Sequence, residues 1–195
     1  MRFAGVAALG FLPFAAVAQQ TWQIDPAHTN AQFAVRHMGI STVRGSFTKT
    51  TGTVQYDPAD PSKMAIEATI DANSVDTRND MRDKDLRGDH FFDVAKYPTL
   101  TFKSKSAQVL GAGKLKITGD LTLHGVTKEV VLNVDGPSQP LKDPRGNVHM
   151  GAAASTVIKR SDFGMGAMQG AVGDEITITI DVEVIQQAQQ PTASR

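Results

Sequence analysis

The sequence predicts an all-β protein built around one closed antiparallel barrel. Three observations predict it. Apolar residues recur at every second position in most of the chain, turn chemistry separates these runs, and several runs are ten or more residues long with short links. Long antiparallel strands joined in this way favour a barrel, because closure removes exposed edges.

Eight strands are expected. The first covers residues 31–38, where Phe33 and Val35 share a face that His37 continues. The second covers 45–56 and ends in the turn Asp57-Pro58-Ala59-Asp60-Pro61. In the third, 63–71, Met64, Ile66, Ala68 and Ile70 alternate with Glu67 and Thr69. The fourth, 99–108, and the fifth, 113–123, flank Gly111-Ala112-Gly113; Leu115, Ile117, Leu121 and Leu123 set the face of the fifth, with Gly119 in register. His124-Gly125 reads as a tight hairpin into the sixth, 126–135, which carries Val130, Leu132 and Val134. The seventh covers 147–159. In the eighth, 173–185, Ile176, Ile178, Ile180, Val182 and Val184 oppose Thr177, Thr179, Asp181 and Glu183.

Residues 73–93 break the alternation and predict a helical crossover between strands three and four. Asn73, Ser74 or Asp76 would cap it, and Asp80/Lys84 and Asp83/Arg87 stand four apart in the favourable acid-first order. Residues 136–146 carry three prolines and predict a loop. The glycine-rich run from Gly164 to Gly170 predicts a flexible connection, with Met165 and Met168 over a barrel end.

The two termini depart from this pattern. Residues 1–18 have Arg2 in a short positive region, an apolar run interrupted by Pro13, and Ala16-Val17-Ala18. This is the pattern of a secretory signal cleaved near Ala18, and the run is shorter than the roughly 20 residues that span a bilayer. Residues 186–195 predict a disordered tail, which leaves one domain at 19–185.

Composition narrows the function. The 195 residues carry 20 basic and 20 acidic side chains and no cysteine. Neutrality gives no electrostatic case for nucleic acid. Absence of cysteine excludes a disulfide framework, a thiolate nucleophile and a cysteine-ligated metal. His28, His37, His90, His124 and His149 are scattered, with no His-Glu-x-x-His motif, and no Gly-x-Ser-x-Gly elbow occurs. Asp83 to Val94 fails as a calcium loop, since Arg87 takes a ligand position and Val94 stands where glutamate is required. No metal, cofactor or catalytic residue is expected.

A family pattern runs through the chain in order. It comprises Asp25-Pro26-x-His28, Phe33-x-Val35-Arg36-His37-Met38-Gly39, Val43-Arg44-Gly45-x-Phe47, Ser74-Val75-Asp76-Thr77, Arg82-Asp83-x-x-Leu86-Arg87, Phe91-Phe92-Asp93, Tyr97-Pro98-x-Leu100-x-Phe102, Gly119 to Thr127, and Phe163-Gly164. On these residues the chain resembles the YceI family of bacterial periplasmic proteins over essentially its whole mature length. The resemblance implies an eight-stranded, lipocalin-like antiparallel barrel. It also implies a periplasmic carrier that holds a long polyisoprenoid lipid, of prenyl quinone or prenyl phosphate type, in the barrel. Two departures fall in the crossover helix: the family often has histidine at the place of Asp85 and serine at that of Gly88.

The expected tunnel wall is Phe33, Val35, Phe47, Ile66, Ala68, Met81, Leu86, Phe91, Phe92, Phe102, Leu121, Ile178 and Ile180. Small residues at Ala68, Gly119 and along Gly151 to Ser155 would leave room between them. Burying one isoprene unit from water contributes roughly 3–4 kcal/mol. A lipid tail gains little on leaving a bilayer, so shape and head-group contacts must supply selectivity. Arg36, His37, Arg82 and Arg87 are the head-group candidates. Transient membrane contact and a homodimer fit this reading. The competing readings are an envelope stress-response interaction module without a stoichiometric lipid, and an enzyme acting on a lipid in the barrel through His37 and Asp76.

Overall fold

The computed structural model describes residues 19–187. The expected signal, 1–18, and the tail beyond 187 lie outside the described residues.

The strands are β1 (Gln20–Ile24), β2 (Asn30–His37), β3 (Ser41–Phe47), β4 (Thr50–Tyr56), β5 (Ala65–Asp71), β6 (Val75–Asp76), β7 (Thr99–Gly111), β8 (Lys114–Leu123), β9 (Val126–Asp135), β10 (Leu141–Lys142), β11 (Val148–Lys159) and β12 (Val172–Gln186). Helix α1 is Asp80–Arg87. β1, β4, β5, β7, β8, β9, β11 and β12 pair in that order, and β12 returns to β1, so a closed eight-strand antiparallel barrel forms. All eight predicted strands are present.

Two barrel strands are interrupted. β1 and β2 both run antiparallel along β12, with Ile24 opposite Val184 and Asn30 opposite Asp181. Between them Pro26 cannot donate to the ladder, and the Asp25 carboxylate caps the turn by accepting from Ala27 N–H at 2.9 Å. β3 and β4 form the neighbouring interrupted strand, broken at Thr48 and Lys49, whose amides bond Ser74 instead. The expected strand 45–56 therefore spans a break, and the first strand has an earlier segment, β1, that alternation in AQFAVRH does not reach. Gln186 and Gln187 belong with β1 and not with a tail: Gln186 pairs Trp22, and Gln187 N–H donates to Thr21 at 3.0 Å. The 136–146 loop also carries the two-residue strand β10 against β11.

The crossover holds one short helix, and its cap is Asn79, whose side chain accepts from Arg82 N–H at 3.0 Å. This corrects the expected caps. Asn73 and Ser74 lie in a 3₁₀ turn, Ala72–Ser74, and Asp76 lies in β6. Asp83 is buried and accepts from the Thr77 amide (2.9 Å) and hydroxyl (2.5 Å), so it is not a partner of Arg87 on a solvated face. Both predicted tight links, at Ala112-Gly113 and His124-Gly125, have positive φ at both residues, the geometry that suits a twisted two-residue hairpin.

The core has two clusters. One gathers Trp22, Tyr56, Ile117, Val134 and Met150 at the β1 end. The other gathers Phe47, Val75, Leu123, Ile158 and Phe163 where α1 covers the barrel. Trp22, 1% exposed, is the largest fully buried side chain. Two glycines keep rings flat on the inner wall. A Cβ on Gly45 or Gly119 would stand 2.5 Å from the ring of Phe33 or Phe102, respectively.

Candidate functional site: the barrel cavity and its mouth

A cavity of 260 Å³ runs inside the barrel. Its exposed wall is apolar. Among its lining residues Arg160 is the sole charged one. An engineered apolar cavity of about 150 Å³ stays dry and accepts benzene, so this space favours hydrocarbon over water.

Every predicted wall residue except Met81 lines the cavity. Met81 is 81% exposed, because it sits on the outer side of α1 while Leu86 turns inward. Ala68, Gly151, Ala152 and Ala154 provide the small stretches of wall. Gly119 is absent from the lining because the Phe102 ring covers it. At the α1 end Phe33, Phe47 and Phe92 form a ring stack, with centroids 5.8 and 5.4 Å apart and the second pair edge-on. Thr50 lines the cavity too, and its buried hydroxyl has no protein partner among the described residues.

The four head-group candidates do not line the cavity. Arg82 donates to the Thr77 hydroxyl (2.7 Å) and carbonyl (2.9 Å). Arg87 donates to the carbonyls of Asn73 (2.9 Å) and Val75 (2.7 Å). Both side chains thus tie α1 to the β6 segment. His37 is exposed at the end of β2. Arg36 donates to the Thr42 hydroxyl (2.9 Å) and the Gly39 carbonyl (2.6 Å), and lines a separate outer depression of 400 Å³.

Arg160 is the residue that sequence reasoning missed. It opens the 3₁₀ turn Arg160–Phe163, which Gly164 ends at φ 77°. Only 4% of Arg160 is exposed. Its Nε donates to Gly173 O at 2.9 Å, Nη1 to Met165 O and to Ala167 O at 2.7 Å, and Nη2 to Val172 O at 2.9 Å. These bonds fold the glycine-rich connection back over the barrel end. Met165 is buried there as expected, whereas Met168 is exposed.

A second constellation lies on the outer wall at the β1 end. His28 Nδ1 donates to Asp25 at 2.7 Å, and His149 donates from Nδ1 to Glu183 at 2.7 Å and from Nε2 to Asp143 at 3.3 Å. The histidines are distant in sequence, yet the fold brings both to Glu183, His28 standing 4.0 Å from it. The hydrogen bond to Glu183 raises the His149 pKa, and that to Asp25 raises the His28 pKa. Asn147 and the other donors hold Asp143 down at about 2. Asp25, His28 and Glu183, with ligand atoms within 4.8 Å of one another, are the residues that could hold a metal ion. Hydrogen bonds within the cluster already engage each of them. They bridge the gap between β1 and β2.

The model of the YceI-like domain matches residues 22–184. The UPF0312 protein of Vibrio cholerae serotype O1 is 38% identical, over 93% of this chain and 95% of its own length. Protein YceI of Salmonella arizonae is 39% identical with the same coverage. Among solved structures, Burkholderia cenocepacia BcnA has a TM-score of 0.73 at 26% identity, covering 82% of this chain and 98% of its own. A polyisoprenoid binding domain from Saccharophagus degradans, implicated in plant cell wall breakdown, has a TM-score of 0.66 at 18% identity, covering 87% and 100%. The matched span reaches all eight barrel strands, short only of the outer ends of β1 and β12, and holds the whole cavity lining, and the chain belongs to the YceI-like domain family.

Proposed function

We propose that the chain is a periplasmic carrier that holds a long polyisoprenoid lipid in its barrel and acts without catalysis. The observation that carries this reading is the apolar cavity, whose lining offers one charge and no carboxylate or imidazole. The ligand named for the fold neighbour from Saccharophagus degradans supports a prenyl tail. His37 and Asp76, the acid–base pair that an enzyme reading would use, both stand outside the cavity lining. Their strand positions differ: His37 pairs Ser41, and Asp76 pairs Ser46. Exposed Met38, Ile40 and Met168 near the α1 end support brief contact with a membrane during loading. The amino-terminal pattern supports export with cleavage near Ala18.

The test is direct. The mature protein is purified from its own periplasm, extracted with organic solvent and examined by mass spectrometry. A stoichiometric prenyl lipid is expected. A clean extract, combined with failure to take up added prenyl lipids, rejects the carrier.

A further inference from the structure

The outer depression and the barrel cavity share two lining residues, Arg160 and Val172. The Arg160 side chain therefore stands in the wall between the two spaces. A guanidinium carries five N–H donors. Four here go to backbone carbonyls, which leaves one N–H on Nη2. No carboxylate bonds to this guanidinium; Asp174 acts on it only through space. Arg36, which also lines the depression, bonds only to neutral oxygens. Asp174 is the one carboxylate in the lining, and its two oxygens are taken by the Ser161 amide (2.9 Å) and hydroxyl (2.8 Å). Two cations against one anion leave an excess of positive charge at the junction.

We propose that this depression receives an anionic head group of the phosphate or diphosphate class, while the prenyl tail passes Arg160 into the barrel. The inference rests on the carrier reading and selects one of its two ligand types. A quinone head is neutral and would leave both guanidinium charges unmatched; a phosphate accepts charge-assisted bonds from both. Arg160 then discriminates at the throat and Arg36 at the rim. The segment that closes the throat, from Met165 to Gly173, is held by Arg160 itself, so head-group arrival and throat opening act on the same side chain.

Titration calorimetry of the mature protein with geranylgeranyl phosphate and with geranylgeraniol tests this, because the two share one tail. The phosphate is expected to bind at least about tenfold tighter at low salt, the gain of one charge-assisted bond. Arg36→Gln and Arg160→Lys should shrink that preference, and Asp174→Asn should enlarge it. Arg36 is a surface residue, so the Arg36→Gln variant keeps the test decisive even if Arg160→Lys folds poorly. Equal affinity for both lipids in the wild type overturns the head-group assignment and leaves the barrel carrier standing. Binding of neither lipid overturns both readings. Inorganic diphosphate is the third arm. If it binds as tightly as the lipid, the depression is a site for free phosphate and the lipid assignment fails.

Discussion

At the β1 end the barrel is sealed by strand residues, with Trp22 inside and the His28 and His149 pairs outside. At the α1 end it is covered by a helix, a 3₁₀ turn and a glycine-rich connection, and Arg36, Arg82, Arg87 and Arg160 all donate to backbone carbonyls. Histidine changes charge near neutral pH, whereas arginine stays charged throughout the working range. Closure at the first end is thus ladder packing plus titratable pairs. Closure at the second is mainly a set of arginine ties on turns, with the Asp83–Thr77 bonds and His124 on the Phe163 carbonyl beside them. On the carrier reading proposed above, that asymmetry places the mouth at the α1 end.

The strongest way to break the comparison is at the sealed end. Trp22→Ala empties a fully buried site and should cost about 3–5 kcal/mol of unfolding free energy, measured by urea denaturation. The loss should be global, because β1 bridges β4 and β12 and closes the ring. A loss confined to local exchange near Trp22 would contradict a sealed, cooperative end.

At the mouth, Asp83→Ala leaves the buried Thr77 amide and hydroxyl without their acceptor. The expected cost is about 2–3 kcal/mol. It should appear as faster amide exchange in residues 77–87 with the barrel strands still protected. Equal deprotection of β11 and β12 would mean that the two ends are one cooperative unit.

Legibility in the sequence followed the same division. Period two is visible wherever one face of a strand is buried, so the long strands could be read directly. β1 escaped because QTWQI is short and polar except at Trp22 and Ile24; its place comes from pairing on both sides with remote strands. The strand wall residues were legible because inward alternation marks them; Leu86, Phe91 and Phe92 lie off the strands and were legible only through the family pattern, and Met81 is turned outward by its helix. Arg160 was not legible. A charge after a strand reads as solvated, and its burial arises from a connection that folds back only in three dimensions.

Titration sharpens the comparison with a smaller effect. The His149 pKa lies above the ordinary 6.5, because Glu183 and then Asp143 accept from its ring. A raised folded value means that the stabilisation is complete below 6.5 and fades as pH climbs through the folded pKa. On the acid side, Asp143 at about 2 against an ordinary 3.8 stabilises above 3.8 and stops doing so as pH falls through about 2. The melting temperature should therefore decline from pH 6 towards pH 9, and His149→Gln should flatten the decline. An unchanged slope in that variant would remove His149 from the account.

The smallest expected effect concerns the lumen wall itself. Thr50 lies on β4, opposite Ile70, and turns a buried hydroxyl into the cavity lining with no partner among the described residues. A hydroxyl in this position lacks the bonds it had in the unfolded chain, and an unmet polar group costs about 1–3 kcal/mol. Thr50→Val keeps the branched shape, which suits a strand, and removes that hydroxyl. The empty protein should gain up to about 1 kcal/mol, since water reaching the cavity would offset part of the penalty. A prenyl tail presents only hydrocarbon here, so its affinity should hold or rise slightly in the variant. A marked fall in affinity would mean that a polar group of the ligand rests on Thr50, and would move the head group away from the Arg160 depression.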